Sequence, residues 1–350
     1  MDRENVIPLT YRSAGVDRHQ SELAKQEMGG ILNDSGDSRV LNGLGAFASL
    51  FVPSFPGYRE PILAFKTEEP GTKQQLAFAH DRIESLCEDL LHHLANDMLA
   101  MGAVPVVMQD AILCGKLDRE IVVRIVRSLA DGCRRLGFTL SGGETSEQPG
   151  VIPEGTYLLT ASAIGVVERS AVIDGSAILP GDIVLALESN GLHTNGYSLV
   201  RKLLQQVPQL AERKVGGDTF LNAVLLPHRC YLPALVPWLG NGNITGLAHI
   251  TGGGLSENLN RIIPNGLSAK VSLPTLRIPE IFRIIRSAAS LSDEDMIRTF
   301  NLGVGMVAVV RPDAESAFLS SCSDLGYEGY PIGVIERGSE PVRFVGDLRW

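Results

Sequence analysis

Residues 156–189 read TYLLTASAIGVVERSAVIDGSAILPGDIVLALES. Residues 156–168 are β-like in composition, and DIVLALES at 182–189 has the apolar run of a buried strand. Between them, RSAVIDGSAILPG at 169–181 carries the Gly and Pro punctuation of a domain junction. Two α/β halves of similar size follow, with a boundary near residue 170. Their connections are too irregular to predict a doubly wound parallel sheet.

Working back from this junction, apolar positions Ile83, Leu86, Cys87, Leu90, Leu91, Leu94 and Leu99 form a helical stripe within 82–100. Asp118 is placed to cap a second helix, with a stripe running from Ile121 to Leu136, and Gly137 follows as its stop. Residues 1–40 show no sustained periodicity and read as a mobile or weakly packed arm. Working forward, the pattern predicts helices near 196–206, at 256–263 before Pro264, over 278–290 and over 313–325. Strands are predicted at 268–273, 305–310 and 330–336, and Ser292 with Asp295 has the capping-box spacing.

The chain has 350 residues, long enough for two domains of ordinary size. Lysine and arginine number 31 against 40 aspartates and glutamates, a formal charge of -9. So acidic a surface repels a phosphate backbone, which argues against nonspecific nucleic-acid binding. Acidic ligands then depend on local basic groups or on backbone N–H donors. Five scattered cysteines without a C-x-x-C suit a reducing compartment rather than a disulfide framework or a zinc site. With no apolar leader and no run long enough for a membrane helix, the expectation is a soluble cytoplasmic protein with no membrane partner.

Four segments carry candidate chemistry. Asn96-Asp97 precedes the turn Gly102-Ala103-Val104-Pro105, so a carboxylate stands near a helix C-terminus, where the dipole disfavours it. Service to a ligand such as Mg²⁺ would explain Asp97, and so would simple solvation. In GGETSEQPG (142–150) the glycines permit close backbone approach and Glu144 and Glu147 supply carboxylates; an ordinary acidic turn fits as well. GLHTNGYS (191–198) sets His193, Thr194 and Asn195 at the start of a helix, combining a proton-transfer group with amide donors. HITGGGLSENLNRII (249–263) leads three glycines into a helix with Ser256 as its cap, a turn able to cradle a phosphate. Gly71-Thr72-Lys73 is no Walker A loop, because Lys66 stands where its first glycine is needed. His19, His92, His93 and His228 have no convergent polar context and read as surface or core residues.

Taken together, these strings resemble the phosphoribosylformylglycinamidine cyclo-ligase family, the aminoimidazole ribonucleotide synthetases of purine biosynthesis. YRSAGVD (11–17), the full D-x4-G-A-x-P from Asp97 to Pro105, CGKLD (114–118), GGETSEQPG, GLHTNGYSLVRKLL, HITGGGLSENLNRIIP and RTFNLGVGM (298–306) all fall in that family's order. The resemblance implies an α/β fold of the α+β type. Residues 41–170 would form an ATP-binding, dimerising N-terminal domain whose sheet builds a β-barrel across a homodimer interface. Residues 171–350 would form a C-terminal α/β layer. It also implies ATP-dependent ring closure of a small phosphorylated amide substrate.

Carried across residue by residue, Glu68, Asp97 and Asp110 would hold Mg²⁺, and Lys73 would neutralise phosphoryl charge. Gly43, Gly45, Gly71 and Thr72 would lie by the nucleotide. His193 would activate substrate or move a proton, with Glu144, Thr194 and Asn195 orienting the substrate and Gly252, Gly253 and Gly254 supporting a phosphate. The departures cluster at the nucleotide end. The family's T-D-G-V-G-T-K is here Thr67-Glu68-Glu69-Pro70-Gly71-Thr72-Lys73, and its G-G-L-G-G-F-G is Asn42-Gly43-Leu44-Gly45-Ala46-Phe47-Ala48. The alternatives are a divergent paralogue that activates another amide or carboxylate, and a ligand-binding relative without turnover.

Overall fold

A computed structural model describes residue 15 and residues 18–33 and 37–350. The family-like opening string at 11–17 therefore lies outside the described residues apart from Gly15. Helix α1 (Arg18–Asn33) precedes β1 (Pro61–Glu68), α2 (Lys73–Ala79), α3 (Ile83–Leu99), β2 (Val104–Cys114), α4 (Arg119–Leu136), β3 (Thr139–Glu147) and β4 (Tyr157–Glu168). Part of the expected arm is thus a packed helix. Ala24, Met28, Ile31 and Leu32 of α1 are buried, at the i, i+4 and i, i+3 spacing of one helix face. That stripe is short and broken by glycines, which hides it in a window scan.

The first sheet has the order β1-β4-β2-β3, with β2 and β3 parallel and the other pairs antiparallel. Its β1 strand alternates half-buried Ile62, Ala64, Lys66 and Glu68 with exposed Leu63, Phe65 and Thr67, the two-residue period of a strand with one covered face. Asp118 caps α4 by accepting from the backbone N–H of Glu120 and Ile121. Gly137 ends it in the left-handed region at φ 83°, where a Cβ would be strained. Asp118→Ala is expected to cost about 1 kcal/mol in urea unfolding.

The second unit runs through β5 (Ile183–Glu188), α5 (Tyr197–Gln206), the short hairpin β6 (Lys214–Val215) and β7 (Asp218–Thr219), α6 (Phe220–Val224), α7 (Leu232–Leu235), β8 (Ile244–His249) and α8 (Gly254–Asn260). It continues with β9 (Leu267–Ser272), α9 (Glu280–Ala289), α10 (Asp293–Thr299), β10 (Val304–Val310), α11 (Glu315–Asp324), β11 (Gly329–Arg337) and β12 (Val342–Val345). The large sheet has the order β12-β9-β11-β5-β10-β8 and is antiparallel except for β12 beside β9. The Ser292–Asp295 capping box forms as expected.

Helix α8 starts before and ends before the predicted 256–263, and Ser256 is not its cap. Gly253, at φ 88°, takes the cap position. The Asn258 side chain then donates to the carbonyls of Thr251, Gly252 and Gly254, clamping the glycine turn.

Helix α3 joins the two units. Its N-terminal stripe packs in the core with α4, whereas Ala95 and Leu99 pack with Leu185, Leu187 and Tyr231. Asn96 fixes the register: its amide nitrogen donates to the Arg229 carbonyl at 2.8 Å, and its oxygen accepts from the Tyr231 N–H at 2.8 Å.

Candidate active site

The last two turns of α3 present His93 and Asp97 four residues apart, hence on one face, next to the end of β1. Lys66 and Glu68 alternate onto the covered face of that strand. The Lys66 ammonium lies 2.6 Å from Glu68 and 2.8 Å from Asp97. Burial works to lower the Lys66 pKa, but the two carboxylates outweigh it and hold it above the ordinary lysine value. Burial likewise works to raise Asp97; hydrogen bonding to His249 and Lys66 wins, leaving Asp97 well below the usual carboxylate range.

Behind this ion cluster stands a group of imidazoles. His249, the last residue of β8, bonds Asp97 Oδ1 through Nδ1 at 2.6 Å. Its Nε2 lies 2.8 Å from Nε2 of His228. The His193 ring stacks on His228 with centroids 3.9 Å apart, and His93 lies edge-on to His249 at 5.2 Å. Thr194 Oγ1 sits 3.4 Å from Nδ1 of His93 and 3.5 Å from Nδ1 of His228. Burial pushes His93 down to about 4, aided by its neighbour His249, and takes His193 and His228 well below the ordinary histidine value. These three rings are therefore neutral near pH 7.

His193 has a backbone φ of 60°, a left-handed conformation uncommon for a residue with a Cβ. Lys73 holds it there. The Lys73 side chain is fully buried and donates to Asp89 at 2.8 Å, to the His193 carbonyl at 3.2 Å and to the Leu226 carbonyl at 2.6 Å. Lysine has three N–H donors, and all three have protein partners. The expected place of Lys73 beside phosphoryl charge thus gives way to that of an internal post under the His193 turn.

The structure gathers the other expected residues into two groups. Thr72 Oγ1 meets Ser198 Oγ at 3.3 Å, so Gly71 and Thr72 adjoin the Thr194–Asn195 turn. A Cβ added to Gly252 would lie 3.5 Å from Asn195 Oδ1, which brings the glycine turn 252–254 to the same place. Glu68 and Asp97 converge, but on the Lys66 ammonium rather than on an open position. Asp110 belongs to the second group. It pairs in register with Ala161, as Glu68 does from the other side, so it lies two strands away, about 10 Å by strand spacing.

Asp110 lines a cavity of about 600 Å³ with Lys25, Gly45, Gly143, Glu144 and Thr145. Gly143 leaves room for its carboxylate, which a Cβ there would meet at 2.2 Å. Burial raises Asp110 to about 7. Gly43 lines a smaller neighbouring cavity of about 320 Å³ with Asn42, Leu44 and Ser141.

Reading the sequence missed His93, His228, His249 and Lys66. His93 and His228 are not isolated residues, because α3 and the 226–231 segment fold onto each other at Asn96. The four-residue step from His93 to Asp97 was the available signal; nothing local marks His228.

Two joined α/β units with loops closing over a bridging helix define the class of fold. The whole chain superposes on the thiamine-monophosphate kinase from Stenotrophomonas maltophilia with a TM-score of 0.68 at 17% identity, covering 92% of this chain and 97% of that one. It superposes on E. coli HypE with a TM-score of 0.67, also at 17% identity, covering 93% and 94%. Residues 59–167 match the N-terminal domain, and residues 180–346 the C-terminal domain, of the AIR synthase related proteins. The chain belongs to this family.

Curated relatives named phosphoribosylformylglycinamidine cyclo-ligase run along nearly its full length. That of Bordetella avium is 41% identical over 338 residues, covering 96% of each chain. That of Chromobacterium violaceum is 38% identical over 332 residues, covering 95% of this chain and 96% of its own.

Proposed function

We propose that the protein is an ATP-dependent cyclo-ligase that converts formylglycinamidine ribonucleotide to aminoimidazole ribonucleotide, releasing ADP and phosphate. The observation that carries this reading is the near full-length likeness to cyclo-ligases at 36–41% identity. An amide oxygen is a poor leaving group. ATP therefore phosphorylates it, the bond from the γ-phosphorus to the bridging oxygen of ADP breaking as the new O–P bond forms. The amidine nitrogen then attacks the same carbon, loses a proton and expels phosphate. Catalysis of this kind is mostly positioning and charge neutralisation.

Neutral His193 is the group to receive the ring-closing proton, with Thr194, Asn195 and the 252–254 turn holding the substrate. The cavity bounded by Gly45, Asp110 and Glu144 would take the nucleotide. Among the described residues the Asp110 carboxylate forms no ion pair; with Glu144 in the same cavity it suits Mg²⁺, whereas Glu68 and Asp97 already share the Lys66 ammonium. Mg²⁺ bound there would offset charge on the phosphates.

The domain reading of 41–170 for nucleotide and dimer contact and 171–350 for the second layer belongs to this proposal. So does homodimerisation through the exposed face bearing Leu63, Phe65 and Leu158, with a barrel closed across the interface. Among the described residues no helix is long and apolar enough to cross a membrane, and all five cysteines are buried and unpaired; a cytoplasmic enzyme fits both.

Purified protein given ATP, Mg²⁺ and formylglycinamidine ribonucleotide is expected to form the aminoimidazole product, ADP and phosphate in equal amounts. His193→Ala should then lower kcat about 10²–10⁴-fold with a smaller change in KM. ADP release with a different amide but not with this one would select a paralogue, which the Lys66 bridge favours as the second reading. Nucleotide binding with no substrate-stimulated ADP release would leave a binding protein.

A further inference from the structure

We infer that His193, His228 and His249 form a binding site for a divalent transition-metal ion of the zinc class, separate from any Mg²⁺ that accompanies a nucleotide. Each of the three offers a ring nitrogen within 4.8 Å of the other two, and all three side chains are buried. Neither ring nitrogen of His193 has a hydrogen-bond partner, although both are buried, a condition that calls for a partner the polypeptide does not supply.

The contacts of His249 support the same conclusion. Its Nδ1 lies 2.6 Å from Asp97 Oδ1, and its Nε2 faces Nε2 of His228, 2.8 Å away. A carboxylate behind a histidine is the usual outer support of a metal-bound imidazole. Bonds of about 2.0–2.1 Å at tetrahedral angles would set the two nitrogens about 3.3 Å apart. A small separation of the rings thus converts the contact into one edge of a coordination shell.

Three imidazole nitrogens suit Zn²⁺, Co²⁺ or Ni²⁺ and not Mg²⁺, which takes oxygen ligands. The ion and a transferred proton would use the same lone pairs on His193, so loading and turnover are alternative states of that ring. The metal-binding inference itself does not rest on the cyclo-ligase reading.

The test is Co²⁺ titration of the chelator-stripped full chain, following visible d–d absorption, with Zn²⁺ content after dialysis as a second measure. One ion per chain is expected, displaced by Zn²⁺. His228→Gln should abolish it while the circular dichroism is retained, and the exposed His80→Ala should keep it. Asp97→Asn, acting through His249, should weaken affinity about 10–100-fold. Failure of the stripped wild-type chain to bind either ion would overturn the proposal whatever the variants do. So would loss of the ion in His93→Ala but not in His228→Gln, which would move it to the trio of His93, Asp97 and His249.

Discussion

Lys73→Met is expected to destabilise the fold by about 3–5 kcal/mol, the usual penalty for removing one partner of a buried ion pair. Asp89 would then be buried without its cation; even with Lys73 present, burial raises Asp89 to about 6. Its remaining support is the His228 N–H, which donates to it at 2.7 Å. The effect carries a pH signature. Losing Lys73 raises the Asp89 pKa further, so at pH 5 the carboxyl becomes neutral in the folded state and the penalty shrinks. At pH 8 it is largest.

Urea unfolding of wild type and variant at the two pH values measures this, and an equal loss at both would remove the buried charge as the cause. The double variant Lys73→Met, Asp89→Leu should regain most of the stability, because an apolar pair of similar volume can replace a buried salt bridge. It should not regain ligase turnover. The strained His193 backbone would still lack the donor that holds its carbonyl, and restored turnover in the double variant would show that Lys73 does not position that ring.

The fold was legible wherever local chemistry sets it. Asp118 and Gly137 bound α4 because a carboxylate meets orphan N–H groups at one end and a glycine takes positive φ at the other. The Ser292–Asp295 box worked for the same reason. The GGETSE stretch reads as a loop because glycines are poor strand formers, yet it is β3. Its Gly143 is there for the Asp110 carboxylate on the neighbouring strand, a tertiary requirement invisible in a window.

The site divides in the same way. Asp97, His193 and the 252–254 turn announce themselves by glycine and polar spacing. Lys66 reads as an ordinary alternating strand residue, and His228 follows a proline in an irregular segment. Packing of β1 against α3 brings Lys66 to Asp97, and packing of α3 against residues 226–231, through Asn96, gives His228 its neighbours.

Asp110→Asn should make the protein more stable above neutral pH while removing its response to ATP and Mg²⁺. Burial raises the Asp110 carboxyl to about 7 in the folded chain, against about 3.9 when unfolded. Between these values the folded state binds the extra proton. The stability this group contributes is therefore complete below pH 4 and is lost as pH rises toward 7. Three pKa units at about 1.36 kcal/mol each bound the loss near 4 kcal/mol. An uncharged amide of the same shape does not titrate, so the variant's advantage should be negligible at pH 4 and about 2–4 kcal/mol at pH 8.

The wild-type chain should recover the difference when Mg²⁺ and a nucleotide bind, since a ligand taken up only by the folded state stabilises it by mass action. The variant should recover none. Thermal and urea unfolding at pH 4 and pH 8, with and without Mg²⁺ and ATP, separates the two effects. A variant still stabilised by the nucleotide would clear Asp110 of metal binding, and a pH-independent offset would mean that the buried carboxylate already has a counter-charge. If both expectations hold, the nucleotide end of this chain works through a carboxylate kept in an unfavourable place until a cation arrives, while Glu68 and Asp97 already have a lysine in that role.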